Sequence, residues 1–291
     1  MKASSHDSTL SRPPSRSAAL TAAARAVCRE DPEGAVLDDS LAADLAGTVG
    51  AEMIERARAT MTADEVLGFC RWVCVRARFA EDMVEEALDH HVEQYVILGA
   101  GLDSYAYTRA GRHKTLRVFE VDHPASQAWK RGRLRDIGVP EPLNLAFAPV
   151  DFERETLEDG LRGAGFDFDA PAAFAWIGVT MYLTSAAIMS TLQDVASSAP
   201  GSRLVMTYNL PDDAVDEFSR RVTGSMRALV TSAGEPFVSL FTPAEIERLV
   251  AEHGFTRMRH FDADDARQMY FNGRANVAIG AAQRMLVADL A

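Results

Sequence analysis

The chain has 291 residues, 47% of them hydrophobic, with a formal net charge of −12, which suits one α/β domain with a substantial core and argues against nucleic acid, whose binding draws on neutralised phosphates. No apolar run approaches a membrane span, and the start, MKASSHDSTLSRPPSRS, has no apolar signal core. Three cysteines without framework spacing (Cys28, Cys70 and Cys74) suit a reducing, cytoplasmic setting.

Residues 1–16, rich in Ser, Arg and Pro, read as a disordered lead. Residues 17–93 read as a helical N-terminal cap. Within it Phe79, Ala80, Met83, Val84, Ala87 and Leu88 recur at helical spacing, and Cys70 and Cys74, four apart, share one helix face as core residues. The first strand is Tyr95–Leu98, short, apolar and ended by Gly99, as in a buried parallel sheet. Further strands are expected at Leu116–Val121, Asn144–Val150, Ala173–Ile177 and Arg203–Tyr208, with helical stretches such as Ser185–Ser198 between them. The basic run Lys130–Arg135 reads as the solvated face of one such helix. Residues 211–240 read as a polar, helical insertion or lid after strand five. Thr242-Pro243 then opens a helix that ends at Gly254, and two late strands are expected near Thr256–His260 and Ala275–Gly280. Strands alternating with helices imply a Rossmann-like, doubly wound, seven-stranded and mostly parallel sheet over residues 94–291.

Three strand ends offer chemistry. After the first comes Gly99-Ala100-Gly101-Leu102-Asp103-Ser104, where one glycine permits a tight turn and the next lets a ligand approach the backbone. The dinucleotide pattern would place a third glycine at Ser104, so a pyrophosphate cofactor is disfavoured. Asp122, 21 positions after Gly101 at the end of the second strand, is placed to accept from ribose hydroxyls, with Glu120 as a competitor. Asp151 and Phe152 end the third strand. An acid there can take an adenine amino group and an aromatic can pack on the base. His123 stands beside Asp122 at the crevice mouth, and Tyr270 and Arg274 are candidates to face it from the last strand pair. No His-Glu-x-x-His, P-loop or Gly-x-Ser-x-Gly pattern is present, and no metal is expected.

Tyr95–Asp103 (YVILGAGLD), Val118–Pro124 (VFEVDHP) and Met181-Tyr182-Leu183 resemble the leucine carboxyl methyltransferase-like family of class I S-adenosylmethionine-dependent enzymes, in its bacterial small-molecule O-methyltransferase branch. The resemblance runs from about Ala18 to the C-terminus. It implies S-adenosyl-L-methionine as cofactor, with contacts at Asp122, Asp151 and Phe152. It also implies an arginine for the cofactor carboxylate, placed at Arg78 in Arg76-Ala77-Arg78-Phe79. Many members carry a glutamate where this chain has Ile177. The expected function is O-methylation of a small molecule, a role typical of secondary metabolism, with a carboxylate acceptor favoured over a hydroxyl. On that view His123, Tyr270 and Arg274 are the catalytic candidates: Tyr270 and Arg274 hold a carboxylate, or His123 serves as base for a hydroxyl. The alternatives are a cofactor-binding protein without catalysis that acts through protein contacts, and, weakened by Ser104, a nicotinamide oxidoreductase. The oligomeric state is not legible.

Overall fold

A computed structural model describes residues 15–291. Residues 1–14 of the expected lead lie outside the described residues. Ser15 belongs to structure, because its hydroxyl caps the first helix by accepting from the Ala18 N–H at 3.2 Å.

Three helices precede the sheet: α1 (Arg16–Cys28), α2 (Ala42–Thr60) and α3 (Ala63–Asp89). A reciprocal capping box between Thr62 and Glu65 fixes where α3 starts. Then come β1 (Gln94–Leu98), α4 (Tyr105–Thr108), β2 (Arg117–Asp122), α5 (Pro124–Asp136), β3 (Leu145–Pro149), α6 (Leu157–Gly163), β4 (Ala172–Trp176), α7 (Ser185–Ala196) and β5 (Arg203–Asn209). The chain closes with α8 (Glu217–Thr231), α9 (Pro243–Glu252), β6 (Phe255–Phe261), α10 (Ala263–Tyr270) and β7 (Gln283–Leu290). As expected, α9 opens on Thr242 and Pro243, and Gly254 follows it at φ +88°.

The seven strands run in the order β3-β2-β1-β4-β5-β7-β6. The first five are parallel and β7 is antiparallel to both its neighbours. The order reverses between β1 and β4, and a crevice opens there at the carboxyl ends of the strands. One face of the sheet buries Val96, Leu98, Phe119, Phe174, Trp176 and Leu204 against the α6–α7–α9 side. The other buries Tyr95, Ile97, Val118 and Ala175 against the second half of α3 through Ala80, Val84 and Ala87. So α3 is both cap and sheet cover. Its first half joins α1, α2 and α8 in a separate apolar cluster that includes Leu20, Leu45, Val73 and Met226. All three cysteines are free and buried in that cluster.

Two expectations change. The last strand is Gln283–Leu290, not Ala275–Gly280. In the 275–280 segment Val277 and Ile279 pack into the α3–α10 cluster, and the Gly280 N–H donates to Gly68 O at 3.1 Å, so its apolar pattern is satisfied away from the sheet. The run at 130–135 is not one solvated stripe. Lys130 is buried and donates to Glu120 at 2.7 Å, Arg131 pairs with Glu141, and Arg133 donates to the backbone carbonyl of Asp44.

Candidate active site

The turn after β1 starts the site. Gly99 and Gly101 have φ of +69° and +48°, which side chains resist. The amides of Gly99 and Ala100 donate to Val121 O at 2.8 and 3.0 Å, tying the turn to β2. A Cβ at Gly99 would lie 2.3 Å from Val179, and one at Gly101 would lie 3.2 Å from Ala18 of α1. The turn leads only into α4, a single turn of helix. A dinucleotide fold sets pyrophosphate on the N-terminus of a longer helix, so the short α4 disfavours pyrophosphate for the same reason as Ser104.

Asp122 ends β2 beside this turn. Its carboxylate accepts from the Gly101 N–H at 2.5 Å and from the His123 N–H at 2.6 Å. Burial nonetheless raises its pKa, against the pull of those two bonds. Glu120 does not compete for the site. It is fully buried beneath α5, paired with Lys130, and burial pushes it up to about 7. His123 caps α5, its Nδ1 accepting from the Ala125 N–H at 3.1 Å. That bond puts the proton of the neutral ring on Nε2. Asp151 and Phe152 turn the chain after β3.

These residues line one cavity of about 370 Å³ together with Gly99, Ala100, Gly101, Asp122 and His123. Its roof comes from two remote segments. From α1 it takes Ser17, Ala18, Leu20, Thr21 and Arg25. From α8 and the loop after it come Met226, Val230 and residues 234–238. The Ser17 N–H donates to Glu235 at 2.8 Å, and Arg25 reaches Leu102 O at 2.6 Å, so cap, lid and glycine turn are joined directly.

Three expected residues lie elsewhere. Arg78 is on the outer side of α3, its side chain 44% exposed and paired with Asp82 at 2.7 Å. Of the two arginines in Arg76-Ala77-Arg78-Phe79, the one that lines the cavity is Arg76. At about 100° per residue the two positions point about 200° apart, so only one can face the sheet. Arg76 is 8% exposed and donates to Gln283 at 2.7 Å, and burial pulls its pKa down to about 10. Among the described residues it has no carboxylate partner. Gly178 makes room for it: a Cβ there would lie 2.9 to 3.1 Å from the guanidinium. Tyr270 donates to Asp82 at 2.6 Å, and Arg274 binds Glu33 and the Phe271 carbonyl, so neither lines the cavity. They fasten α10 and the following loop to α3 and the cap. The lining residues Glu81, Asp103, Tyr182 and Glu235 were not anticipated from the sequence.

A family model described as leucine carboxyl methyltransferase matches residues 18–196. The chain belongs to this family. A Bacillus subtilis relative assigned by name to the S-adenosyl-L-methionine-dependent methyltransferases is 34% identical over 204 residues, covering 68% of this chain and 66% of its own length. A similarly named Mycobacterium relative is 31% identical over 275 residues, covering 90% and 80%. Among solved structures, a Thermobifida fusca protein assigned as a methyltransferase superposes with a TM-score of 0.60 at 17% identity, covering 99% of each chain. A duf574 family protein of Streptomyces avermitilis gives 0.58 at 16%, covering 93% and 97%. These two share the fold.

The cofactor of the leucine carboxyl methyltransferase family, S-adenosyl-L-methionine, fits this cavity on its own evidence. The glycine turn leaves space for a close approach, and an acid stands at the end of β2. A buried guanidinium with no acid partner among the described residues suits an anion such as an amino-acid carboxylate. The cavity volume lies in the range of small-molecule sites.

Proposed function

We propose that this chain transfers the methyl group of S-adenosyl-L-methionine to an oxygen of a small acceptor with an apolar body. Asp122 would hold the ribose, Asp151 and Phe152 the adenine, and Arg76 the carboxylate. The bound cofactor supplies a sulfonium methyl that is displaced in line, so the protein's part is alignment and exclusion of water. Leu20, Phe69, Val73, Met226, Val230 and Phe237 give the roofed end of the cavity its apolar walls. The observation that carries the reading is the joining of a cofactor cradle and an apolar chamber in one cavity closed by α1 and the 234–238 loop.

A carboxylate acceptor remains the leading form. It is ionised at neutral pH and needs no base. His123 is turned the wrong way to be one: its Nδ1 lone pair is taken by the Ala125 N–H, leaving an Nε2–H that can donate to an acceptor oxygen. The grip expected from Tyr270 and Arg274 is absent, however, and one observation favours a hydroxyl instead. Glu235 sits in the chamber wall, and the cavity is lined by six acids but only two arginines, Arg25 and Arg76. Such walls suit a neutral acceptor, with Glu235 as its base.

Labelled methyl from the cofactor, offered with small carboxylic acids and phenols of matched bodies, tests this. Label in a product that releases methanol under mild alkali supports the ester. Alkali-stable label abolished by Glu235→Gln supports the ether. No transfer to any small molecule, with cofactor binding intact, would instead favour a protein that binds cofactor and acts through contacts.

A further inference from the structure

The cavity extends below the glycine turn, along the sheet face covered by α3. There it is lined by Ala77, Ala80, Glu81, Tyr95, Asp103 and Tyr105. Two acids, Glu81 and Asp103, enter this part from α3 and from the turn after β1. Among the described residues the cation paired with them is Arg109, which approaches Glu81 at 3.3 Å while another of its nitrogens donates to Asp38 O at 2.9 Å; Arg78 acts on Glu81 from further away. Among the described residues Asp103 is engaged only by the Tyr105 N–H, at 2.8 Å. The Glu81 side chain is 18% exposed, and burial, reinforced by Asp103, raises its pKa to about 7. Tyr105 is 3% exposed, and its hydroxyl has no hydrogen-bond partner among the described residues.

Arg76 lies five residues before Glu81 on α3 and lines the same cavity with the opposite imbalance, a buried cation without an acid partner among the described residues. A buried guanidinium and two neighbouring acids that share Arg109 thus line a single space. That is the complement of a free α-amino acid end, which carries a carboxylate and an ammonium on one carbon. Ile177, where the resemblance would place a glutamate, lines the space and offers no polar atom.

We propose that Glu81, supported by Asp103, receives the α-ammonium of the cofactor while Arg76 receives its carboxylate, so that the two ends of this part of α3 clamp the amino-acid moiety. The inference rests on the reading of the cavity as a cofactor site. It makes Glu81 a discriminator: molecules that share the adenosine but lack the amino group lose a charge-assisted partner, and the buried acid is left unpaired.

The test is calorimetry with two probes, S-adenosylhomocysteine and its desamino analogue, which differ only at the ammonium. The wild type should bind S-adenosylhomocysteine about 10- to 100-fold more tightly than the analogue. Glu81→Gln should close that gap, losing affinity for S-adenosylhomocysteine but not for the analogue, and Glu81→Asp should restore part of it. Equal binding of the two probes by the wild type would overturn the inference and leave the cofactor site standing. So would equal weakening of both in Glu81→Gln. Binding of neither probe by the wild type would overturn the cofactor reading itself.

Discussion

Arg76→Met should cost the protein its cofactor without costing it stability. The guanidinium is buried, and the fall of its pKa to about 10 corresponds to about 3 kcal/mol of opposition to the charged form in the empty cavity. Methionine fills a similar volume without that opposition. The variant loses one hydrogen bond to Gln283, worth about 1.5–3 kcal/mol for a charged donor, but Gln283 Oε1 keeps its bond from Trp72 at 3.1 Å. The balance lies between no change and about 2 kcal/mol of added stability, or a melting temperature from unchanged to about 4 °C higher. Affinity for S-adenosylhomocysteine, in contrast, should fall by at least about 100-fold, because a buried carboxylate would lose the cation that faces it. Arg78→Met is the control. Its exposed pair with Asp82 is worth little, so both readouts should stay near wild type. Calorimetry and thermal melting measure both quantities. Normal binding in Arg76→Met, or its loss in Arg78→Met, would refute the assignment of the cavity arginine.

Asp122→Asn should fold and weaken cofactor binding by about 1–3 kcal/mol, because one amide cannot accept from both the Gly101 and His123 N–H groups and still serve a ligand; unchanged affinity in calorimetry would remove Asp122 from the site. Gly99→Ala should be poorly folded, since its Cβ would meet Val179 at 2.3 Å in a backbone that disfavours side chains, and a native melting curve would contradict the turn geometry. Hydrogen exchange should slow in α1 and residues 234–238 when cofactor binds, because the Ser17–Glu235 bond closes the roof above it; equal protection in both states would defeat the lid. Affinity for S-adenosylhomocysteine should rise with pH through about 7. Below that value Glu81, set among Arg109, Asp103, Arg78, Tyr95 and Tyr105, is protonated and cannot pair with an ammonium; above it the carboxylate forms. A flat profile between pH 6 and 8 would contradict the role of Glu81.

The parallel sheet and the cavity at its strand ends were legible because they rest on local rules. Apolar runs end in glycine or acid, and those endings fall together once the strands are parallel, so position, with the family resemblance, placed Gly99, Gly101, Asp122, Asp151 and Phe152 at the edge of one cavity. The cavity arginine was legible too, but in helix period and not in motif. Val73, Arg76, Ala80, Met83 and Ala87 form one stripe along α3, and a charged residue on a buried stripe marks a site. Family analogy pointed two residues further on, to the wrong face. Tyr270 and Arg274 were misplaced because the last strand was set at Ala275–Gly280. With β7 at Gln283–Leu290 they fall on α10 and the loop beyond it, away from the crevice. Glu235 and Arg25 could not be read from the sequence, since their place depends on α1 and the 234–238 loop meeting across more than 200 intervening residues.

The most direct test of the central claim is a crystal structure with S-adenosylhomocysteine bound. The adenosine should lie along the ends of β2 and β3 at Asp122, Asp151 and Phe152, and the amino-acid end below the glycine turn between Arg76 and Glu81. Ligand lodged outside this cavity, or reversed so that the base lies against Arg76, would contradict that claim.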